Sequence, residues 1–353
     1  MYAHQEVWGT LIALYLFLGG VAGATAAIGL IVDQFAMSSR IVAVRRSDPD
    51  KVRGKPTPGS AGKLPAHPIA GGSTEIPATR SLTTNHNQGG SVIGVIAALS
   101  SFVIVGVGCV FLLVDLTQPL NTLYFFMNPG SWIFWGIVFI VGMMGFEILY
   151  VLPYLETWPV LGALSRGLAF LKSWQKITAL LGALCGFAVT VYTGFLLSAT
   201  PAIPFWNTSL LPALFTVSAF STGLGFLMVA LSLAGGMWHE VGRFGKADAG
   251  VILLELVVLF AFLGVAWYGG RPEAAYSVAS LLGNLGFVFG FLLLGILAPL
   301  ILEGYVLVKG HSGVATLTSS GANLYLLSGL LVLVGGYLLR HYVLWAGFYV
   351  KVW

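Results

Sequence analysis

The chain has 353 residues, of which 57% are hydrophobic and 8% charged, with a net charge of +4. Soluble domains carry about 25% charged residues, so a water-soluble globular fold is excluded, and the apolar stretches are long enough for a bilayer, which takes about 20 residues. The small positive excess lies in the connections, where it sets topology, and it does not mark a nucleic-acid binder.

Eight spans are predicted, at about 8–36, 91–117, 131–155, 173–199, 209–234, 250–269, 277–308 and 321–349. The expected fold class is an all-α membrane protein with about eight transmembrane helices, N-out/C-out, in two packed helix bundles. Residues 1–353 are read as a single integral membrane domain of the cytoplasmic (inner) membrane. The first span is too long for a signal-peptide core, and no A-x-A-like site follows it, so it reads as a retained helix. Its run GGVAGATAAIG (Gly19 to Gly29) sits inside an apolar helix and reads as small-residue helix packing, not phosphate binding. The segment 38–90 is rich in Pro, Gly, Ser, Thr and basic residues. It reads as a long, basic, mobile cytoplasmic loop.

The second span closes on Asp115, the only formal charge between Ser81 and Gly145. A carboxylate at a membrane edge is costly and is by default a functional candidate. The basic residues fix its side. Arg40, Arg45, Arg46, Lys51, Arg53, Lys55, Lys63 and Arg80 lie in the first connection, Arg166, Lys172 and Lys176 in the third, Arg243 and Lys246 in the fifth, and Lys309 in the seventh. The alternate connections hold only Arg271. The positive-inside rule places the odd-numbered connections in the cytoplasm and Asp115 at the outer face. The outer connections Thr117 to Ser131 and Ala199 to Ser209 are uncharged, aromatic and proline-bearing, which suits a surface covered by a partner or by headgroups.

Cys109 and Cys185 both lie inside apolar runs and read as buried structural thiols without a ligand cluster. Of the histidines, only His341 lies well inside a span, which disfavours a dihaem cytochrome b. Glu147, Glu255 and Glu303 fall toward the inner half, and His239 opens the fifth connection. Together they suggest a partial proton path from the cytoplasm, with helix-end roles as the alternative. Arg340 falls in the outer part of the membrane with Asp115, and the two could pair. Tyr15, Tyr192, Trp206 and Asn207 gather toward the outer side. A tyrosine hydroxyl beside an apolar wall suits a quinone carbonyl.

Several pieces of the sequence resemble the NrfD/PsrC-like family, the polysulfide-reductase type of quinone-reactive membrane subunit. They are LIALYLFLGGVAGA (Leu11 to Ala24), LLVDLTQPL with MNPGSWIFWG (Leu112 to Gly136), VYTGFLLS with PFWNTSLLPALFTVSAFSTG (Val191 to Gly223), and LVGGYLLRHYVLWAG (Leu333 to Gly347). The resemblance implies a haem-free, metal-free membrane subunit that binds menaquinone or ubiquinone. Its expected partners, on the outer face, are a ferredoxin-like iron–sulfur subunit and a catalytic molybdopterin or similar subunit. Tyr15 stands where a histidine often occurs, Tyr192 matches a quinone-contacting tyrosine, and Asp115 and Arg340 match family positions. DLTQP carries Gln118 where the family usually has a basic residue. The expected function is electron exchange between the quinone pool and the iron–sulfur subunit, with proton translocation left open. A secondary transporter and a purely structural anchor are the alternatives.

Overall fold

The computed structural model describes residues 2–4, 8–47, 89–115, 128–157, 171–235, 237–311 and 319–350. Outside them lie the rest of the expected basic loop, most of the connection after Asp115 including Gln118, and Arg166 of the third connection.

The helices are α1 (Thr10–Ser47), α2 (Gly89–Asp115), α3 (Trp132–Val151), α4 (Leu171–Ser198), α5 (Leu210–Ala234), α6 (Trp238–Tyr268), α7 (Pro272–Leu282), α8 (Ala298–His311) and α9 (Ser319–Trp345). A 3-10 turn, Leu152–Thr157, follows α3, and a π-helical run, Gly286–Leu297, leads directly into α8. Among the described residues eight helices, the π run and α8 counted as one, are long and apolar enough to cross a membrane, so this is a multi-pass membrane protein. Helix α1 continues through RIVAVRRS to Ser47, well into the segment expected to be loop. Nothing there breaks a helix before Pro49, which disfavours helix at the residue before it.

Two further boundaries differ from expectation. Helix α6 starts at Trp238 and not near 250, so Asp248 is inside it. The expected span 277–308 is broken at Gly283, where Asn284 Oδ1 accepts from the Gly286 amide at 2.9 Å and restarts the helix. Beyond that break the carbonyl of Leu293 accepts from the Ala298 amide, an i→i+5 bond, and such wide turns are a local adjustment of a helix against its neighbours.

Helices α1 to α4 form one bundle, and α5, α6, the π run with α8, and α9 form the other. They join where α1 and α4 lie on α5. Small residues set the close approaches: a Cβ on Gly186 of α4 would come 2.6 Å from the Gly23 carbonyl oxygen of α1 within the first bundle, and one on Gly223 of α5 would come 2.6 Å from the Ala24 Cβ at the joint. The glycine-rich run of α1 is thus a packing stripe, as lipid-embedded helices need where backbones approach. The apolar side chains Val103, Leu180, Leu233 and Phe260 are exposed around the perimeter, while Asp33, Glu147, Asp248, Glu255, Glu303 and Arg340 are buried inside. Ionisable groups in a membrane face the interior of the bundle in this way.

One end of the molecule carries Asp115, the start of α1 and the end of α9. The opposite end carries Lys176, Arg243, Lys246 and Lys309. Strand β1 (Tyr2–His4) pairs antiparallel with β2 (Phe348–Val350), Tyr2 opposite Val350 and His4 opposite Phe348. This ribbon adds two short strands to an otherwise helical fold and brings both terminal segments to the aspartate end.

Candidate functional site

Every helix of the first bundle contributes to a common point near the aspartate end. Tyr15 of α1 and Tyr192 of α4 are 3% and 4% exposed, and their hydroxyls lie within hydrogen-bonding reach of each other. Cys109 of α2 sits beside both. Gly136 of α3 lies against the Tyr192 ring, where a Cβ would overlap it, and Gly108 of α2 faces the edge of Tyr15. In a pair of hydroxyls bonded to each other, one O–H is used between them and the other is free to donate outward. Cys109, read from sequence as a structural thiol, therefore belongs to this site. Nothing in its local sequence signals that.

Arg340 of α9 lies across α1 from the tyrosines and is fully buried. Its Nη1 donates to Gly336 O at 2.8 Å and to Ser218 Oγ at 3.3 Å, and its Nη2 donates to Phe215 O at 3.4 Å. The guanidinium stands over the Phe215 and Phe17 rings, with its carbon 5.3 and 5.9 Å from their centroids. Gly20 of α1 leaves it room, since a Cβ there would come 2.8 Å from Nη2. Glu255 acts on it electrostatically, and Ser218 is within reach of both groups. Among the described residues Asp115 makes no contact with Arg340. It is half-buried at the last turn of α2, six residues past Cys109 or about 9 Å along the axis.

Trp206 is fully buried, packs at a tilt against Trp8 with ring centroids 5.7 Å apart, and donates its indole N–H to Val343 O at 2.9 Å. Asn207 donates to Ser198 O at 2.8 Å. Both side chains hold the connection between α4 and α5 against its neighbours. Ile203 and Phe205 of that connection are buried as well. Ile203, Phe205 and Trp206 of this connection are thus covered by the protein's own core, where the sequence suggests a surface covered by a partner or by headgroups.

The expected acids do not form one line. Glu147 of α3 accepts from Ser101 of α2, inside the first bundle. Nearby, Tyr150 donates to Asp33 at 2.6 Å, with Gly94 leaving room for the hydroxyl. Glu255 and Glu303 belong to the second bundle, and the residue between them is Asp248, which accepts from Ser221 at 2.8 Å and lies beside Glu303. Glu303 accepts from Ser328 at 2.7 Å. His239 is in the first turn of α6, and its side chain lies outside the described residues.

A multi-pass helical membrane protein with a tyrosine-lined site near one end, and buried acids in both halves, is the class these features define. Comparison with known proteins sharpens it. A family model described as "Polysulphide reductase, NrfD" matches residues 73–351. The sequence is 30% identical to the C subunit of polysulfide reductase from Wolinella succinogenes, over 71% of this protein and 80% of that one. It is 29% identical to the protein NrfD homolog of Haemophilus influenzae, over 64% of this protein and 77% of the other, and 25% identical to protein NrfD of Escherichia coli, over 97% and 95%. The protein belongs to the NrfD polysulphide-reductase family.

Proposed function

We propose that this protein is the quinone-binding membrane subunit of a multi-subunit oxidoreductase, exchanging electrons between the quinone pool and a peripheral iron–sulfur subunit at the aspartate end. The observation that carries this reading is the Tyr15–Tyr192 hydroxyl pair, enclosed by four apolar helices near that end. Family membership, and a relative named as one subunit of a polysulfide reductase, support both the ligand and the existence of partner subunits.

The residues present fit a quinone. Tyr15 and Tyr192 lie in one apolar cluster with Ala13, Val105, Ile140 and Val189, and Gly136 seats the Tyr192 ring directly against α3. A flat, greasy ligand with a carbonyl needs apolar surroundings and one donor. Reduction of a quinone takes up two electrons and two protons. Tyr15 and Tyr192 hold and orient the carbonyl through the free O–H. Asp115, half-buried at the end of α2, can exchange protons with water at that end. The basic end, with Lys176, Arg243, Lys246 and Lys309, then faces the cytoplasm by the positive-inside rule, so the site lies in the outer half of the inner membrane.

The reading is tested by titrating a water-soluble quinone analogue against the purified protein and its Tyr15→Phe and Tyr192→Phe variants. Loss of one neutral hydrogen bond, about 1 kcal/mol, raises Kd about fivefold in at least one variant. Wild-type affinity in both, with the fold intact, overturns the assignment of the site.

A further inference from the structure

Two acids of the second bundle face each other deep inside the protein. Asp248 of α6 and Glu303 of α8 are both 0% exposed, and their carboxyl groups lie within hydrogen-bonding reach of one another. Each has one oxygen satisfied by a serine hydroxyl, from Ser221 of α5 at 2.8 Å and from Ser328 of α9 at 2.7 Å. The remaining oxygens, Asp248 Oδ2 and Glu303 Oε2, accept from no donor among the described residues. Two ionised carboxylates in this position would repel each other and leave two charged oxygens bare, which is strongly unfavourable in a buried site. A single proton between those two oxygens removes both defects.

The other titratable neighbours are Glu255, further along α6, and Tyr325 of α9, on which Glu303 acts. A Cβ on Gly245 would overlap the Tyr325 ring, so α6 is glycine where that ring packs. Glu255 lies seven residues from Asp248, about 10 Å by helical rise. It is followed by Ser218 and Arg340 at the joint between bundles. Toward the basic end, Lys246 is two residues before Asp248 and Lys309 six residues beyond Glu303, and both are exposed.

We propose that Asp248 and Glu303 form a proton-exchange site that holds one proton between Asp248 Oδ2 and Glu303 Oε2. The proton comes from water at the basic end and returns there, or passes to Glu255 as the next acceptor. No electrons move in this step. The proton site stands on its own geometry. Its role in coupling, as the point where turnover draws protons from the basic end, rests on the quinone reading above.

Infrared spectroscopy of the purified full-length protein tests it through the C=O stretch of protonated carboxyl groups, identified by its shift in heavy water. The near-isosteric variants Asp248→Asn and Glu303→Gln should each lose the same single band, and the double variant should lose no more than either alone. Size-exclusion profile and melting temperature show that each variant is folded. Loss of no band, or of two separate bands, overturns the shared proton. So does a pair whose signal changes only with added sodium, which would make this a sodium site. Quinone-analogue affinity of the same variants keeps the two readings apart: it reports on Tyr15 and Tyr192, and a failure there leaves the carboxyl bands unaffected.

Discussion

Gly136 of α3 lies flat against the ring of Tyr192 of α4, with no room between them for a methyl group. The position of the tyrosine hydroxyl is therefore set from a neighbouring helix. Gly136→Ala pushes the ring away from Tyr15. Overpacking of this kind costs about 1–3 kcal/mol, so the melting temperature falls. Affinity for a quinone analogue drops at least as far as in Tyr192→Phe, because the hydroxyl is misplaced although still present. Retained affinity in a folded Gly136→Ala protein would separate Tyr192 from ligand binding.

Arg340 and Glu255 face each other through Ser218, both buried. Removing one member of such a set strands the other charge, at about 3–5 kcal/mol. Arg340→Met therefore destabilises strongly, and adding Glu255→Gln to it recovers part of the loss. Denaturant titration of the two single variants and the double variant measures this coupling. Strict additivity would show that the groups do not interact.

The Tyr150 hydroxyl donates to Asp33 at the basic end of the first bundle. Hydrogen bonds to charged acceptors contribute about 1.5–3 kcal/mol. Tyr150→Phe lowers stability by that order, and Gly94→Ala does so as well, since its Cβ would displace the hydroxyl. Thermal unfolding of both variants is the check, with a neutral outcome in each counting against the contact.

Trp206→Phe removes the indole N–H and leaves the Val343 carbonyl of α9 without that donor. A buried unsatisfied group costs about 1–3 kcal/mol. The loss is seen as a lower unfolding midpoint, and accelerated hydrogen exchange in the last turns of α9 locates it.

Much of the architecture is legible in residue order alone, because a lipid-spanning helix must be apolar over a fixed length and the loops carry the basic residues. The boundaries that differ have local causes. The start of α6 is hidden because Arg243, Lys246 and Asp248 look like loop residues, although an exposed lysine can run its stem along the helix toward water while Asp248 turns inward. The same disguise hides the acid that links Glu255 to Glu303. The break at Gly283 lies in a continuous apolar stretch, and only the side chain of Asn284, bonded back to the backbone, marks it. Tyr15 and Tyr192 stand out in the sequence, but 177 residues separate them, and pattern alone does not show that their hydroxyls meet. Trp206 stands out for its polar tip, and the fold spends that tip on α9.

The β1–β2 ribbon ties Tyr2–His4 to Phe348–Val350. During synthesis the second strand emerges only after the last helix has been made. The first strand must therefore wait, unpaired, while every span is inserted. Closure of this clasp at the aspartate end therefore comes after α9 has been made, and a disulfide engineered across Ala3 and Tyr349 would report when it happens.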